Sequence, residues 1–196
     1  MGSPCLIKMK NIRYNTIILC LIILIGCGSA KKPDSSSEKQ TLSEQKSLAK
    51  PLQQKALAPD FELYNLSGKT VRLSDFSGKV LILDFFATWC PPCKAEIPHF
   101  VELKSKYGDS GLEIIGISLD RGAGWNELLE RFASTYQINY PILKGSDEVV
   151  NAYGGIRAIP TTFVIDRNQG VKDKVIGYID KASWEQKILP LLKSAE

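Results

Sequence analysis

Beyond residue 57 the apolar positions follow two rhythms. Val80–Phe86 is a near-continuous apolar run of strand length broken only by Asp84, and Leu112–Leu119 is a second. Short apolar runs of this kind predict buried strands. Between them, Ile97, Phe100, Val101 and Leu103 recur at helical spacing within Cys90–Tyr107. Strand, helix and strand in that order predict parallel pairing through a right-handed crossover. Upstream, apolar segments starting at Ala58-Pro59-Asp60-Phe61 flank the turn composition Asn65-Leu66-Ser67-Gly68, predicting an opening hairpin. Downstream, Trp125, Leu128, Leu129 and Phe132 predict an amphipathic helix over Gly122–Tyr136, inserted before a short strand at Pro141-Ile142-Leu143 and a short helix over Asp147–Tyr153. Thr161–Ile165 and Val171–Ile179 flank Asp166-Arg167-Asn168-Gln169-Gly170 as a second hairpin, and Ser183–Leu192 reads as a closing helix. The expected architecture is α/β: a mixed central sheet with helices on both faces, an N-terminal β-hairpin and an inserted helix. No internal repeat is visible.

The first 57 residues follow neither rhythm. Lys8, Lys10 and Arg13 precede an apolar run, Ile17–Ile25, and then Gly26-Cys27-Gly28, the order of a secretory signal. Nine apolar residues at about 1.5 Å each reach only about half of a ~30 Å hydrocarbon core, which argues against a spanning helix. Leu24-Ile25-Gly26-Cys27 resembles the bacterial lipobox, which implies cleavage before Cys27 and lipidation of its thiol. The alternatives are an ordinary cleaved signal in which Cys27 has no role, and an uncleaved anchor. Met1-Gly2 does not open a myristoylation motif, because Leu6 stands where Ser or Thr is wanted. Met9 is an alternative initiator. From Gly28 to about Lys55 the chain is rich in Ser, Lys, Gln and Glu and reads as a disordered tether, with a short amphipathic helix over residues 42–52 as the alternative. Some thirty flexible residues span about 30 Å, keeping a folded domain near a membrane. The expected division is therefore 1–26 signal, 27–56 lipidated tether and 57–196 folded domain, one core's worth of chain.

Charge narrows the partners. Of 25 Lys and Arg, Lys8, Lys10 and Arg13 leave with the signal, so 22 basic residues face 21 acidic ones in the remainder. Such a body has no nucleic-acid footprint. Cysteine usage narrows the chemistry: of five cysteines, Cys5 and Cys20 lie in the signal and Cys27 at its end, leaving Cys90 and Cys93. A single Cys-x-x-Cys in an oxidising compartment is a redox centre or half of a metal site. Zinc needs two further ligands, and the body offers only His99 and carboxylates, so no metal is expected.

Placement favours redox chemistry. Cys90 follows a buried strand and begins a helix, where free N–H groups and the dipole favour a thiolate. Pro91 and Pro92 suit the first helical turn and leave the Cys93 N–H near the Cys90 sulfur. Cys90 is then the attacking thiol and Cys93 the resolving one, which needs a proton acceptor. Asp84, inside an apolar strand, and Glu96, one helical turn past Cys93, are the candidates, against a structural acid and a solvated helix-surface residue respectively.

Ala58-Pro59-Asp60-Phe61, Leu83-Asp84-Phe85-Phe86-Ala87-Thr88-Trp89-Cys90-Pro91-Pro92-Cys93-Lys94, Glu96-Ile97-Pro98 and Ile159-Pro160-Thr161-Thr162-Phe163-Val164-Ile165-Asp166 together resemble the TlpA/ResA-like branch of the thioredoxin superfamily over about residues 58–192. The resemblance implies a thioredoxin-like fold, a redox-active Cys90–Cys93 disulfide and Pro160 as a cis-proline facing it. From the residues alone Pro160 is equally a trans residue opening a strand. It implies Trp89, Ile159 and Thr161 as client-facing positions, with Trp89 chiefly a shield of the pair and Ile159 offering its backbone. Pro98 is similar to the superfamily's helix-kinking proline, whereas His99 reads as a helix-surface residue. Many ResA-like proteins carry a neutral residue at the position of Asp84, so two acids leave the acceptor for Cys93 open.

The expected function is an extracytoplasmic thiol–disulfide oxidoreductase that reduces disulfides of envelope proteins, for example in cytochrome c maturation. It would act as a monomer without cofactor, lipid-anchored to a bacterial membrane and recharged by a membrane electron donor of thioredoxin-reducing type. The acids oppose Cys90 thiolate formation, which predicts a pKa nearer thioredoxin's roughly 7 than DsbA's roughly 3.5, and a potential nearer about −270 mV than about −120 mV. Two other functions compete. Peroxiredoxins place Thr or Ser three residues, and Pro seven residues, before the reactive Cys, where this chain has Ala87 and Leu83. Copper-delivery proteins separate their cysteines by three residues and add a distant His, and none follows His99.

Overall fold

The computed structural model describes residues 56–194. The signal, Cys27 and the tether lie outside the described residues. Strand β1 (Glu62–Tyr64) pairs antiparallel with β2 (Thr70–Arg72), forming the expected hairpin. The main sheet contains β3 (Val80–Phe86), β4 (Leu112–Ser118), β5 (Ile142–Lys144), β6 (Thr161–Ile165) and β7 (Val171–Ile176) in the order β5-β4-β3-β6-β7. β3 pairs parallel with β4 and antiparallel with β6; β4–β5 is parallel and β6–β7 antiparallel, with a register shift between Val164 and Ile165. Four α-helices among the described residues complete the fold: α1 (Pro91–Tyr107), α2 (Trp125–Thr135), α3 (Asp147–Ala152) and α4 (Lys181–Lys193). This is the mixed α/β architecture that the apolar rhythm predicts.

Period-two alternation divides β3 between two cores. Leu81, Leu83 and Phe85 pack with Phe61 and Leu63 of the hairpin segment and with Val149 and Tyr153 of the α3 region. Val80 and Ile82 face α1 and α4, packing on Phe100, Leu103, Trp184 and Ile188. Phe86 continues that face toward Ile97, Leu129, Phe132 and both cysteines. All seven β3 residues are buried, as a strand covered on both faces must be. Asp84 is the polar member of this run and lies on the α1 side, between Ile82 and Phe86. Among the described residues no helix is long and apolar enough to cross a membrane.

Candidate redox site

The site grows from the end of β3. After Phe86 the chain turns through Ala87, Thr88 and Trp89 and enters α1 with Cys90 as N-cap, its backbone extended at φ −86°, ψ 112°. The turn is fastened from β4: Asp120 Oδ2 accepts from the Thr88 N–H at 3.0 Å and Oδ1 from the Thr88 hydroxyl at 2.7 Å. Ser118 donates its hydroxyl to Asp120 Oδ2 at 2.9 Å, and Leu119 N–H reaches Phe86 O at 2.8 Å. Sequence reasoning missed Asp120. Its signal is its place just past the C-terminal end of a central parallel strand, where α/β sheets put their working loops.

Cys90 and Cys93 are joined as a disulfide, with Cα atoms 5.3 Å apart. The Cys93 N–H approaches Cys90 Sγ at 3.3 Å, the arrangement expected from two prolines in the first turn. Both cysteines are buried, whereas Pro91, Pro92 and Trp89 face solvent, Trp89 with 67% of its surface exposed. Cys90 thus occupies the capping position, and Cys93 lies beneath it on the core side of α1.

Opposite the pair, the Ile159–Pro160 peptide bond is cis and Ile159 O lies 3.7 Å from Cys90 Sγ. Ile159 is half-buried. The Thr161 side chain is buried and its hydroxyl donates to Ala158 O at 2.7 Å, so it braces this loop rather than facing a client. Gly177 N–H, just past β7, bonds Pro160 O at 2.8 Å. Ile176 and Tyr178 are exposed there, adding two apolar groups that sequence reasoning did not name.

Both acids are inside. Asp84 keeps 3% exposure and accepts from the Thr162 hydroxyl at 2.9 Å, its register partner on β6. Burial raises its pKa well above the carboxylate range, and the nearby Glu96 raises it further against the Thr162 hydrogen bond. Glu96 is fully buried, which overturns the solvated-surface alternative. Its Oε1 accepts from Trp184 Nε1 at 2.8 Å and Ile179 N–H at 3.2 Å, while Oε2 has no hydrogen-bond partner. Burial lifts its pKa to about 7, the two donors holding it below where burial alone would put it. Helix periodicity could not reveal this, since the groups that bury Glu96 come from α4 and the loop before it. Pro98 lies within α1 and is exposed. His99 is half-exposed, and its Nε2 lies 3.0 Å from the Tyr178 hydroxyl.

A capping sulfur at the end of a central strand, joined to a second one helical turn deeper and faced by a cis-proline loop, defines a dithiol–disulfide exchange centre on a thioredoxin-like fold. Comparisons agree. The AhpC/TSA family model matches residues 55–174. The thiol-disulfide oxidoreductase ResA of Geobacillus thermodenitrificans is 34% identical over 181 residues, covering 91% of this chain and 95% of that protein. ResA of Geobacillus kaustophilus is 40% identical over 131 residues, 66% of this chain and 72% of that one. A thiol:disulfide interchange protein of the thioredoxin family from Chlorobium tepidum superposes with a TM-score of 0.65 at 31% identity, covering 70% of this chain and 97% of its own. The chain belongs to the AhpC/TSA family within the thioredoxin superfamily, in its ResA-like branch, and is a thiol–disulfide oxidoreductase.

Proposed function

We propose that this oxidoreductase works outside the cytoplasm as a reductant of client disulfides, tethered by a lipid on Cys27 and recharged by a membrane electron donor of thioredoxin-reducing type. It acts as a monomer through residues 57–196, without cofactor. Cys90 attacks a client disulfide, forming a Cys90–client disulfide and releasing one client thiol. Cys93 then gives its proton to a buried carboxylate and attacks Cys90, closing the internal disulfide as the electron pair leaves on the second client sulfur. Trp89, Ile159 and the cis Pro160 loop receive the client chain, with Ile176 and Tyr178 beside them. Disulfides of apocytochrome c, of oxidase copper sites and of other envelope proteins are suitable clients.

The observation that carries the direction of electron flow is the burial of Asp84 and of Glu96, the latter one helical turn past Cys93 on α1. Glu96, partly ionised at neutral pH, sets negative charge on the helix that carries both cysteines, which disfavours a Cys90 thiolate and keeps the dithiol a good electron donor, and its pKa of about 7 is matched to accept a proton there. The basic start, apolar run and Gly26-Cys27 support the location. The test is trapping in intact cells. Cys93→Ser is expected to hold clients as mixed disulfides through Cys90 while Cys90→Ser holds none, and Cys27→Ala is expected to leave the membrane fraction. Equal trapping by both variants, or a reduction potential near about −120 mV, contradicts the reading.

A further inference from the structure

Among the described residues, three of the exposed large apolar side chains lie around the redox pair: Trp89, Ile176 and Tyr178. Trp89 precedes Cys90, and Ile176 is the register partner of Thr161, the residue after the cis-proline. The segment that leaves β7 is fastened at successive points. Gly177 N–H reaches Pro160 O at 2.8 Å, and Ile159, one residue before Pro160, sets its carbonyl oxygen 3.7 Å from Cys90 Sγ. Gly177 turns the chain at φ +87°, a left-handed conformation that residues with a side chain seldom adopt. Ile179 N–H then reaches the buried Glu96 Oε1 at 3.2 Å. The backbone of Tyr178 is thus held on both sides, between the cis-proline loop and α1. Its side chain is held as well. His99 stands three residues past Glu96 on α1, and its Nε2 lies 3.0 Å from the Tyr178 hydroxyl, with the ring centroids 5.8 Å apart. That contact survives a change of protonation: a neutral Nε2 accepts the phenol proton, and an imidazolium donates to the phenol oxygen. A tyrosine with 45% of its surface exposed would otherwise lose its side-chain freedom only on binding, whereas one already held presents its ring without that loss.

Resting on the reading of the cis-proline loop and its neighbours as client-facing, we propose that His99 is a positioning residue for client choice: it holds the Tyr178 ring beside Ile176 as a seat for an aromatic or large apolar side chain next to the client's disulfide cysteine. The seat is apolar because the hydroxyl of Tyr178 is committed to His99, leaving the ring and the Ile176 side chain to meet the client. It adjoins the place where the client sulfur arrives, since Gly177 is bonded to Pro160 O and Ile159 O borders Cys90 Sγ. His99 acts only through Tyr178.

The test compares two short peptides, each closed by one disulfide, with phenylalanine or with glycine beside each cysteine. The reduced full-length chain is mixed with each, and the rate of peptide reduction against peptide concentration gives KM and the limiting rate. The parent is expected to show a KM about fivefold lower for the phenylalanine peptide, the size of one good aromatic contact, with similar limiting rates. His99→Ala is expected to abolish that preference by raising KM for the phenylalanine peptide alone. Tyr178→Phe, which keeps the ring and loses the hydroxyl, is expected to do the same, and it decides the matter should His99→Ala fail to fold. His99→Gln, which can still reach the hydroxyl, is expected to keep the preference. A preference that survives both His99→Ala and Tyr178→Phe, or a loss shared equally by the two peptides, overturns the role of His99. Should Trp89→Ala or Ile176→Ala remove a preference that those two variants leave intact, the client-facing reading stands and the role of His99 alone falls. No preference in the parent, with KM unmoved in Trp89→Ala and Ile176→Ala, removes the client-facing reading beneath it.

Discussion

Glu96, on α1, and Glu113, on β4, are both buried glutamates, and the fold treats them in opposite ways. Glu113, on β4, receives Lys104 Nζ at 2.6 Å and Lys79 Nζ at 3.2 Å. Burial raises its pKa, but the two lysines outweigh burial and hold it below the ordinary value. Glu96 meets only neutral donors, an indole and a backbone N–H, and burial wins. The lesson concerns charge: a lysine makes a buried acid a permanent anion fit for holding elements together, whereas neutral donors leave it able to gain and lose a proton near neutral pH. Among the described residues, Asp84 and Glu96 are the carboxyls that burial leaves with a raised pKa.

The sharpest way to break the comparison is to make both side chains amides. Glu96→Gln is expected to slow the resolving step by about 10²-fold with little change in Cys90 attack, read from the two successive releases of coloured thiolate when the reduced protein meets dithiobis(nitrobenzoate). Glu113→Gln is expected to leave both steps intact and to lose about 1–3 kcal/mol in denaturant unfolding, because Lys104 loses its charged partner. Exchanged outcomes would end the distinction.

A subtler effect appears in stability against pH for the oxidised protein. The folded pKa of Glu96 is raised from 4.5 to about 7, so the folded chain holds a proton the unfolded chain has released across that window. Stability is then fully present below about 4.5 and falls as pH rises to about 7, by up to about 3 kcal/mol. Asp84 acts in the same sense. Glu113 has the opposite sign: its contribution is present above its unfolded value and is lost as pH falls through its lowered folded one. Glu96→Gln is expected to flatten the decline toward neutrality and Glu113→Gln the acid limb, both read from urea midpoints.

The smallest expected effect isolates one donor. Trp184→Phe removes the indole N–H from Glu96 Oε1, so the pH midpoint of the resolving step should rise by about one unit. An unmoved midpoint would assign the behaviour of Glu96 to burial alone.

The strands and helices were largely legible, because each long element carries its own period. Val80–Phe86 and Thr161–Ile165 begin and end where the apolar runs do, and Cys90 caps α1 as two following prolines suggest. The cysteine pair was readable for the same local reason. The acids were readable only in part. Asp84 stands out as a charge within an apolar strand, whereas the depth of Glu96 depends on Trp184, 88 residues away. Asp120 was illegible because it acts through a partner on another element. Thr88 and Asp120 are 32 residues apart. Local periodicity reports what one segment buries, not what a distant segment brings to it.

The two borders of the main sheet bear on solubility. β5 is short, and the hairpin reaches it through the Asn65–Leu143 bridge. β7 is the longer border, and a foreign strand could extend the sheet there. It carries Lys172 and Lys174 toward solvent, with Lys172 Nζ 3.2 Å from Asp166 Oδ2 and Lys174 Nζ 5.1 Å from the Phe163 ring centroid. The irregularity at Val164/Ile165 breaks the ladder beneath them. Cations thus stand four and two residues before the exposed Ile176, discouraging self-association by strand addition along a border that ends in apolar side chains.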